Sequence, residues 1–147
     1  MESFKMNTHR IGLRFESELK KKLNDSGLIC LNLGYNEIGD LVVVNGKTRI
    51  IECKTTHKPY FYLSKNPYQS GKLKELALRN ISVYYAVKFI KGNRSEIKFF
   101  YMNNYSPNNK TLIGWLGYSL EDFIKHCKLS NKLNIYTKFP FTNVKGD

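Results

Sequence analysis

The chain has 147 residues, enough for one hydrophobic core and not for two. Hydrophobic residues make up 41% and aromatics 14%, as in a globular domain, and no apolar run nears the roughly 20 residues of a membrane helix. The balance of 24 Lys and Arg against 12 Asp and Glu gives a formal net charge of +12, spread along the sequence rather than gathered in a tail, which points to a binding face for a polyanion such as nucleic acid.

The start, Met1-Glu2-Ser3-Phe4-Lys5, has neither the apolar centre nor the small-residue cleavage site of a secretory leader. Cys30, Cys53 and Cys127 are odd in number, far apart and outside Cys-x-x-Cys spacing. They read as small buried apolar residues in a reducing, cytoplasmic setting, that of a prokaryote or, for a viral protein, of its host.

The first predicted element is a helix over roughly Arg10 to Asp25. Ile11, Phe15, Leu19 and Leu23 recur at i+4 and form one face, with Lys20, Lys21 and Lys22 mostly outside it. Gly27 is placed to close it. A short strand follows over Leu28 to Leu33, then a polar loop over 34–39, then a hairpin from Asp40 to Lys54 turning at Asn45-Gly46. Tyr60 to Leu63 suits an edge strand. Asn66-Pro67-Tyr68-Gln69 reads as a helix start, with Asn at the N-cap, Pro at N1 and Gln at N3. That helix runs to about Arg79 and shows Gln69, Leu73, Leu76 and Ala77 on one face. Val83 to Ile90 is a strand, turning at Lys91 to Arg94 into an antiparallel partner over Ile97 to Tyr101.

This order predicts an α/β fold, a mixed central β-sheet flanked by helices. Residues 1–105 form the expected core. Residues 106–147 are expected as a C-terminal extension packed on the same domain, entered through the turn formers of 103–109. In it a short helix starts at Ser119-Leu120-Glu121-Asp122 and runs to about Cys127, and Leu133 to Phe139 is expected as a final strand. There are no internal repeats.

The chemistry is concentrated in the hairpin. Gly39-Asp40-Leu41-Val42 heads the first strand and Ile51-Glu52-Cys53-Lys54 ends the second. Ionised groups are rarely set into apolar strands without a partner or a metal. Asp40 and Glu52 supply hard oxygen ligands for a divalent cation, the main-chain carbonyl of Cys53 is the natural third, and Lys54 is placed to orient a water or steady charge on a phosphate.

Parity tests this arrangement. A two-residue Asn45-Gly46 turn sets Asp40 opposite Ile51, so that Asp40 and Glu52 face opposite sides of the sheet. A three-residue turn over residues 44–46, with Gly46 in the left-handed region, sets Asp40 opposite Ile50 and puts Asp40, Glu52 and Lys54 on one face. The metal reading therefore requires a bulged turn at Gly46 or an equivalent distortion near Asp40. Glu16 and Glu18 flank the apolar stripe of the first helix, one on each side, and periodicity does not choose between them as a further carboxylate.

The pattern Gly12-x-x-x-Glu16-x-Glu18-Leu19, Gly27, Gly39-Asp40-Leu41-Val42, Ile51-Glu52-Cys53-Lys54 and Ala86-Val87-Lys88-Phe89 resembles the archaeal Holliday junction resolvases of the PD-(D/E)xK nuclease superfamily. The likeness is collinear from about residue 10 to residue 101. It implies a restriction-endonuclease-like fold, Glu16 as the catalytic helical carboxylate, Glu18 as structural, Mg²⁺ on Asp40 and Glu52 with Glu16 joining through water, Mn²⁺ able to substitute, and Lys54 as the catalytic lysine. Gln69 would support the site from the second helix. The segment 32–36 lacks the Arg and Ser residues that resolvases carry there, with Asn36 standing where a Ser contacts phosphate.

The expected function is a metal-dependent endodeoxyribonuclease that resolves four-way junctions by paired nicks, acting as a homodimer in DNA recombination and repair. The alternatives are an endonuclease of this superfamily acting on duplex DNA, or a non-catalytic nucleic-acid-binding module. Arg10, Arg14, Asn36, His57 and Lys58 are the expected DNA contacts. His9, His57 and His126 lack metal spacing. Tyr60, Phe61, Tyr62, Tyr84 and Tyr85 could stack on bases, but such residues more often belong to a core or a dimer interface.

Overall fold

The structure, a computed structural model, describes residues 2–34, 39–63, 75–104 and 111–138, with side chains described at 14–34, 39–63, 75–103 and 111–129. Helix α1 spans Glu2–Asp25, a full two turns earlier than the apolar periodicity places its start. Helix propagation costs less than nucleation, so a polar segment extends an established helix. Phe15, Leu19 and Leu23 are buried as their spacing requires. The helix ends in a Schellman motif: Leu28 N–H donates to Leu23 O at 3.2 Å and Gly27 N–H to Asn24 O at 3.0 Å, with Gly27 at φ +97°.

The strands are β1 (Cys30–Asn32), β2 (Leu41–Val43), β3 (Thr48–Thr56), β4 (Tyr60–Tyr62), β5 (Ile81–Lys91), β6 (Arg94–Tyr101), β7 (Thr111–Ile113) and β8 (Tyr118–Ser119). A helical turn before β5, residues 75–78, is α2, and α3 spans Leu120–Lys138. Six strands form one sheet in the order β1-β2-β3-β5-β6-β8, while β4 and β7 pair apart as an antiparallel ribbon. The β3–β5 pair is parallel and its neighbours are antiparallel, so the sheet is mixed as expected. Strand β5 is central, and its Val83–Val87 run is buried throughout because both faces are covered. Its start is tied down by Asn103, whose Oδ1 accepts from Val83 N–H at 2.7 Å and whose Nδ2 donates to Ile81 O at 3.3 Å.

One face carries α1 and α3. There Phe15, Leu19 and Leu23 meet Leu41, Ile51, Ala86 and Phe99, with Phe123 and Cys127 from α3. The other face buries Ile50, Val83, Tyr85, Val87 and Phe100 against Leu63, Leu76 and Leu112. Leu76 is buried as predicted, but Ala77 is exposed, because the single described turn of α2 has only one inward position. The predicted helix start at Asn66-Pro67, Leu73 and Gln69 lie outside the described residues, as do Asn36 and the side chains of His9, Arg10 and Ile11.

The C-terminal segment differs most from expectation. Residues 133–138 are helical, not a strand: α3 runs on past Cys127 to Lys138. It begins at Ser119, whose Oγ accepts from Asp122 N–H at 3.0 Å, and once begun it continues through β-branched residues that a helix tolerates. Residues 111–119 supply two strands that the sequence reading did not foresee, β7 beside β4 and β8 on the edge of the main sheet. Two or three residues are too few to show a period, so only the partner strand makes them legible.

Candidate active site

The hairpin register differs in detail from the one expected. Leu41, Val42 and Val43 pair with Ile51, Ile50 and Arg49, which leaves residues 44–47 to make the turn. Gly46 is left-handed, at φ +71°, as predicted. The ladder, continued by one residue, sets Asp40 opposite Glu52 rather than opposite Ile50. The shift of two keeps the parity of the expected register, and Glu52 and Lys54 share one face of β3. The turn is fixed by Arg49, whose Nη1 donates to Asn45 O at 3.0 Å and Lys47 O at 3.3 Å, and by Asn45, whose Oδ1 accepts from Ile29 N–H at 2.6 Å.

Asp40 itself leaves the ladder. Its N–H donates to Ile51 O at 2.9 Å, one residue off the register. Gly39 makes this approach possible, since a Cβ there would stand 2.5 Å from Ile50 Cγ2 and 3.1 Å from Ile51 O. Beyond the end of β2, the Asp40 side chain replaces the missing strand: its Oδ2 accepts from Cys53 N–H at 2.8 Å.

Glu52 is 18% exposed and ion-paired with Lys54, 39% exposed, at 3.2 Å between Oε2 and Nζ. Glu16 comes to the same place from α1. Its pKa is raised, chiefly by burial, then by the charges of Asp40 and Glu52 and by a hydrogen bond with Asp40. Glu18 points elsewhere. Its Oε1 takes Lys88 Nζ at 2.7 Å, and that ammonium also lies 5.8 Å from the centre of the Phe15 ring. The pairing separates two glutamates that helical periodicity leaves equivalent.

Tyr85 is a member of the site that the sequence reading assigned only to core or stacking. It lies beside Glu52 in the parallel β3–β5 register, and its hydroxyl is pushed up by burial first and then by Glu52 and Asp40. No local signal marks it, because a parallel pairing is made across a long crossover. The Cys53 thiol is also pushed up, by burial above all and then by Asp40, Glu16 and Glu52. It is an inert apolar group, so what Cys53 offers the site is backbone.

Among the described residues no three His, Cys, Asp or Glu side chains stand as a ready-made metal cage. The carboxylates are instead occupied with one another and with Lys54. Their chemistry nevertheless fits a cation: acids this close cannot all ionise cheaply without one, and an all-oxygen donor set suits Mg²⁺ or Mn²⁺. Arg14 is exposed on α1, and His57 and Lys58 are exposed where the chain leaves β3, with Lys58 Nζ 5.8 Å from the Tyr60 ring centre. Tyr60 and Tyr62 are exposed on the β4–β7 ribbon, whereas Tyr84 and Tyr85 are buried.

No protein-family model matches the chain, and no curated protein does. The mixed sheet with α1 laid across it matches the fold of an archaeal Holliday junction resolvase. One solved structure it is similar to is that of Hjc, a Holliday junction resolvase from the archaeal hyperthermophile Archaeoglobus fulgidus, with a TM-score of 0.61 and 22% identity, covering 78% of this chain and 95% of that one. The likeness is one of fold.

Proposed function

We propose that the chain is a metal-dependent DNA endonuclease that resolves four-way junctions. The observation that carries this reading is the meeting of Glu16, from a helix, with Asp40 and Glu52, from two strands, beside the ammonium of Lys54. The fold of a known resolvase supports it. Asp40 and Glu52 with the main-chain carbonyl of Cys53 would hold Mg²⁺, with Glu16 contributing through water. When bound, such an ion supplies positive charge against a phosphate and a more acidic water.

The residues of the chain do the rest. Asp40 fixes the local backbone through Cys53 N–H, so the β3 end is held in one geometry. Lys54, partly exposed and tethered to Glu52, is placed to donate a hydrogen bond to a phosphate oxygen. Glu16, whose basicity is raised by burial first and then by its acidic neighbours, is suited to take a proton from an attacking water. The net charge of +12 favours the DNA backbone, with Arg10, Arg14, Asn36, His57 and Lys58 as contacts and Gln69 as a supporting group from the second helix. A homodimer would present two such sites to a junction of near two-fold symmetry.

The test is cleavage of a four-way junction and of a matched linear duplex in Mg²⁺, Mn²⁺ and EDTA. The reading requires paired nicks in the junction, dependence on metal, and loss of cutting in Glu52→Gln. Equal rates on junction and duplex would replace it by a duplex endonuclease. Binding without cutting would reduce the chain to a nucleic-acid-binding module.

A further inference from the structure

The β4–β7 ribbon has two unlike faces. Side chains alternate along it, so Phe61 and Leu112, which pair in register, both turn inward. Leu112 is fully buried, and the Phe61 ring lies 6.4 Å from that of Tyr85. Tyr60 and Tyr62 turn outward and are 39% and 57% exposed. Trp115, the only tryptophan of the chain, follows the end of β7 and is 78% exposed. It is kept beside the start of β4, because Gly114 N–H donates to Pro59 O at 3.0 Å. Large apolar groups exposed together, rather than singly, mark an interaction surface.

The ribbon lies on the face of the sheet that carries Glu52 and Lys54. Tyr85, which packs against Phe61, pairs with Glu52 across β3 and β5, and paired residues share a face. Thr56 stands two residues beyond Lys54, about 7 Å further along β3. Its hydroxyl fastens the turn into β4, accepting from Lys58 N–H at 3.2 Å and donating to Tyr60 O at 3.4 Å. A DNA strand with roughly 3.4 Å per nucleotide would pass from Lys54 to Tyr60 in about two to four nucleotides.

Charge selects the occupant. No Asp or Glu occurs from residue 53 to 74 or from 97 to 120, the two stretches that hold the ribbon, while both contain lysines. Lys58 Nζ lies 5.8 Å from the centre of the Tyr60 ring, so a cation stands beside a flat apolar face. A second copy of the chain would set the same lysines against each other, whereas a polyanion that also carries flat rings complements both features. Paired bases keep their ring faces inside the duplex stack, so the bases that can meet these side chains are unpaired ones.

We propose that the outer face of this ribbon is a stacking surface for unpaired bases of a DNA strand, with Tyr60, Tyr62 and Trp115 taking the bases and Lys58 the adjoining phosphate. The inference rests on the nuclease reading above for the strand's passage over the carboxylates. It adds a preference: DNA with splayed bases, at a branch point or a gap, is held there and continuous duplex is not.

The test titrates the full chain in EDTA, where nothing is cut. Trp115 reports its own contact: a short dT strand should quench its fluorescence saturably, and an abasic strand of the same length and charge should not. In fluorescence anisotropy with labelled strands, the abasic strand and a blunt duplex should bind at least about tenfold more weakly than the dT strand. The double variant Tyr60→Ser/Tyr62→Ser changes exposed side chains, so it should keep a near-native Tm and weaken the dT strand about tenfold or more. Trp115→Leu, on a separate segment, should weaken it about fivefold. Lys58→Gln should weaken dT and abasic strands alike and flatten the salt dependence, as loss of a phosphate contact does. The proposal is overturned if the abasic strand quenches as well as the dT strand, if duplex binds as tightly, or if the tyrosine double variant and Trp115→Leu both bind unchanged. It is overturned too if sedimentation shows a wild-type dimer that the double variant turns into a monomer, since the ribbon is then an interface between copies. Failure here leaves junction cleavage untouched, since that is measured separately in Mg²⁺, and loss of the cleavage reading leaves the binding measured in EDTA untouched.

Discussion

Asp40 Oδ2 accepts the N–H of Cys53 at 2.8 Å, and this bond stands where the β2–β3 ladder stops. A carboxylate that would hold a cation is thereby also the last rung of the hairpin. Its two duties can be separated by substitution. Asp40→Asn keeps an acceptor oxygen for Cys53 but loses the charge; it should fold with near-native Tm and lose more than the roughly 100-fold in cleavage typical of disturbing a metal ligand's support. Asp40→Ala should in addition lower stability by about 1–3 kcal/mol, since a part-buried N–H is left without its partner. Single-turnover cleavage and urea titration of both variants check the division.

Glu16 and Glu18 should behave oppositely. Glu18→Gln loses the ion pair to Lys88 and should cost at most about 1 kcal/mol, because both side chains are partly exposed, with cleavage unchanged. Glu16→Gln should abolish cleavage while leaving Tm equal or higher without metal. If Glu18→Gln is the inactive variant, the assignment of the helical carboxylate is wrong.

The raised pKa of Glu16 gives a pH signature. Its folded value lies above its unfolded one, so the folded state binds the extra proton. Stability of the metal-free protein from this group is greatest below the unfolded value and falls as pH rises through the folded one. The difference in unfolding free energy between wild type and Glu16→Gln, measured in EDTA from pH 4 upward, should therefore grow in favour of the variant. Saturating Mg²⁺ should shrink that difference, since a cation offsets the crowding of carboxylates.

Gly39→Ala should destabilise by about 1–3 kcal/mol, through overlap with Ile50 and the Ile51 carbonyl, and should reduce cleavage by moving Asp40. An alanine with native stability and full activity would show that the approach of this segment to β3 is not needed.

The C-terminal segment should prove indispensable. Phe123 stacks on Phe99 with ring centres 4.0 Å apart, and both are buried. Phe123→Ala should cost about 3–5 kcal/mol, a large part of a typical domain's 5–15 kcal/mol. A chain ending at residue 105 should fail to fold cooperatively, as read by circular dichroism on heating.

The sequence by itself determined what depends on neighbours along the chain. The i+4 spacing of Phe15, Leu19 and Leu23 set the buried face of α1, Gly27 set its end, and Asn45-Gly46 set a left-handed turn between two apolar strands. The period of two along a strand tied the sidedness of Asp40 and Glu52 to the length of the turn, and the odd turn that the metal reading needs is present, with the pairing shifted by two from the expected one. Tertiary structure alone decided what depends on distant partners. Glu18 was separated from Glu16 by Lys88, seventy residues away, and Tyr85 reached Glu52 through a parallel pairing that leaves no local mark. The burial of Arg49, the strands at 111–119 and the course of α3 belong to the same class. Helical and strand periods are fixed by bond geometry within a few residues, whereas the choice among equivalent polar side chains is made by whichever charge or cavity the folded chain brings opposite them.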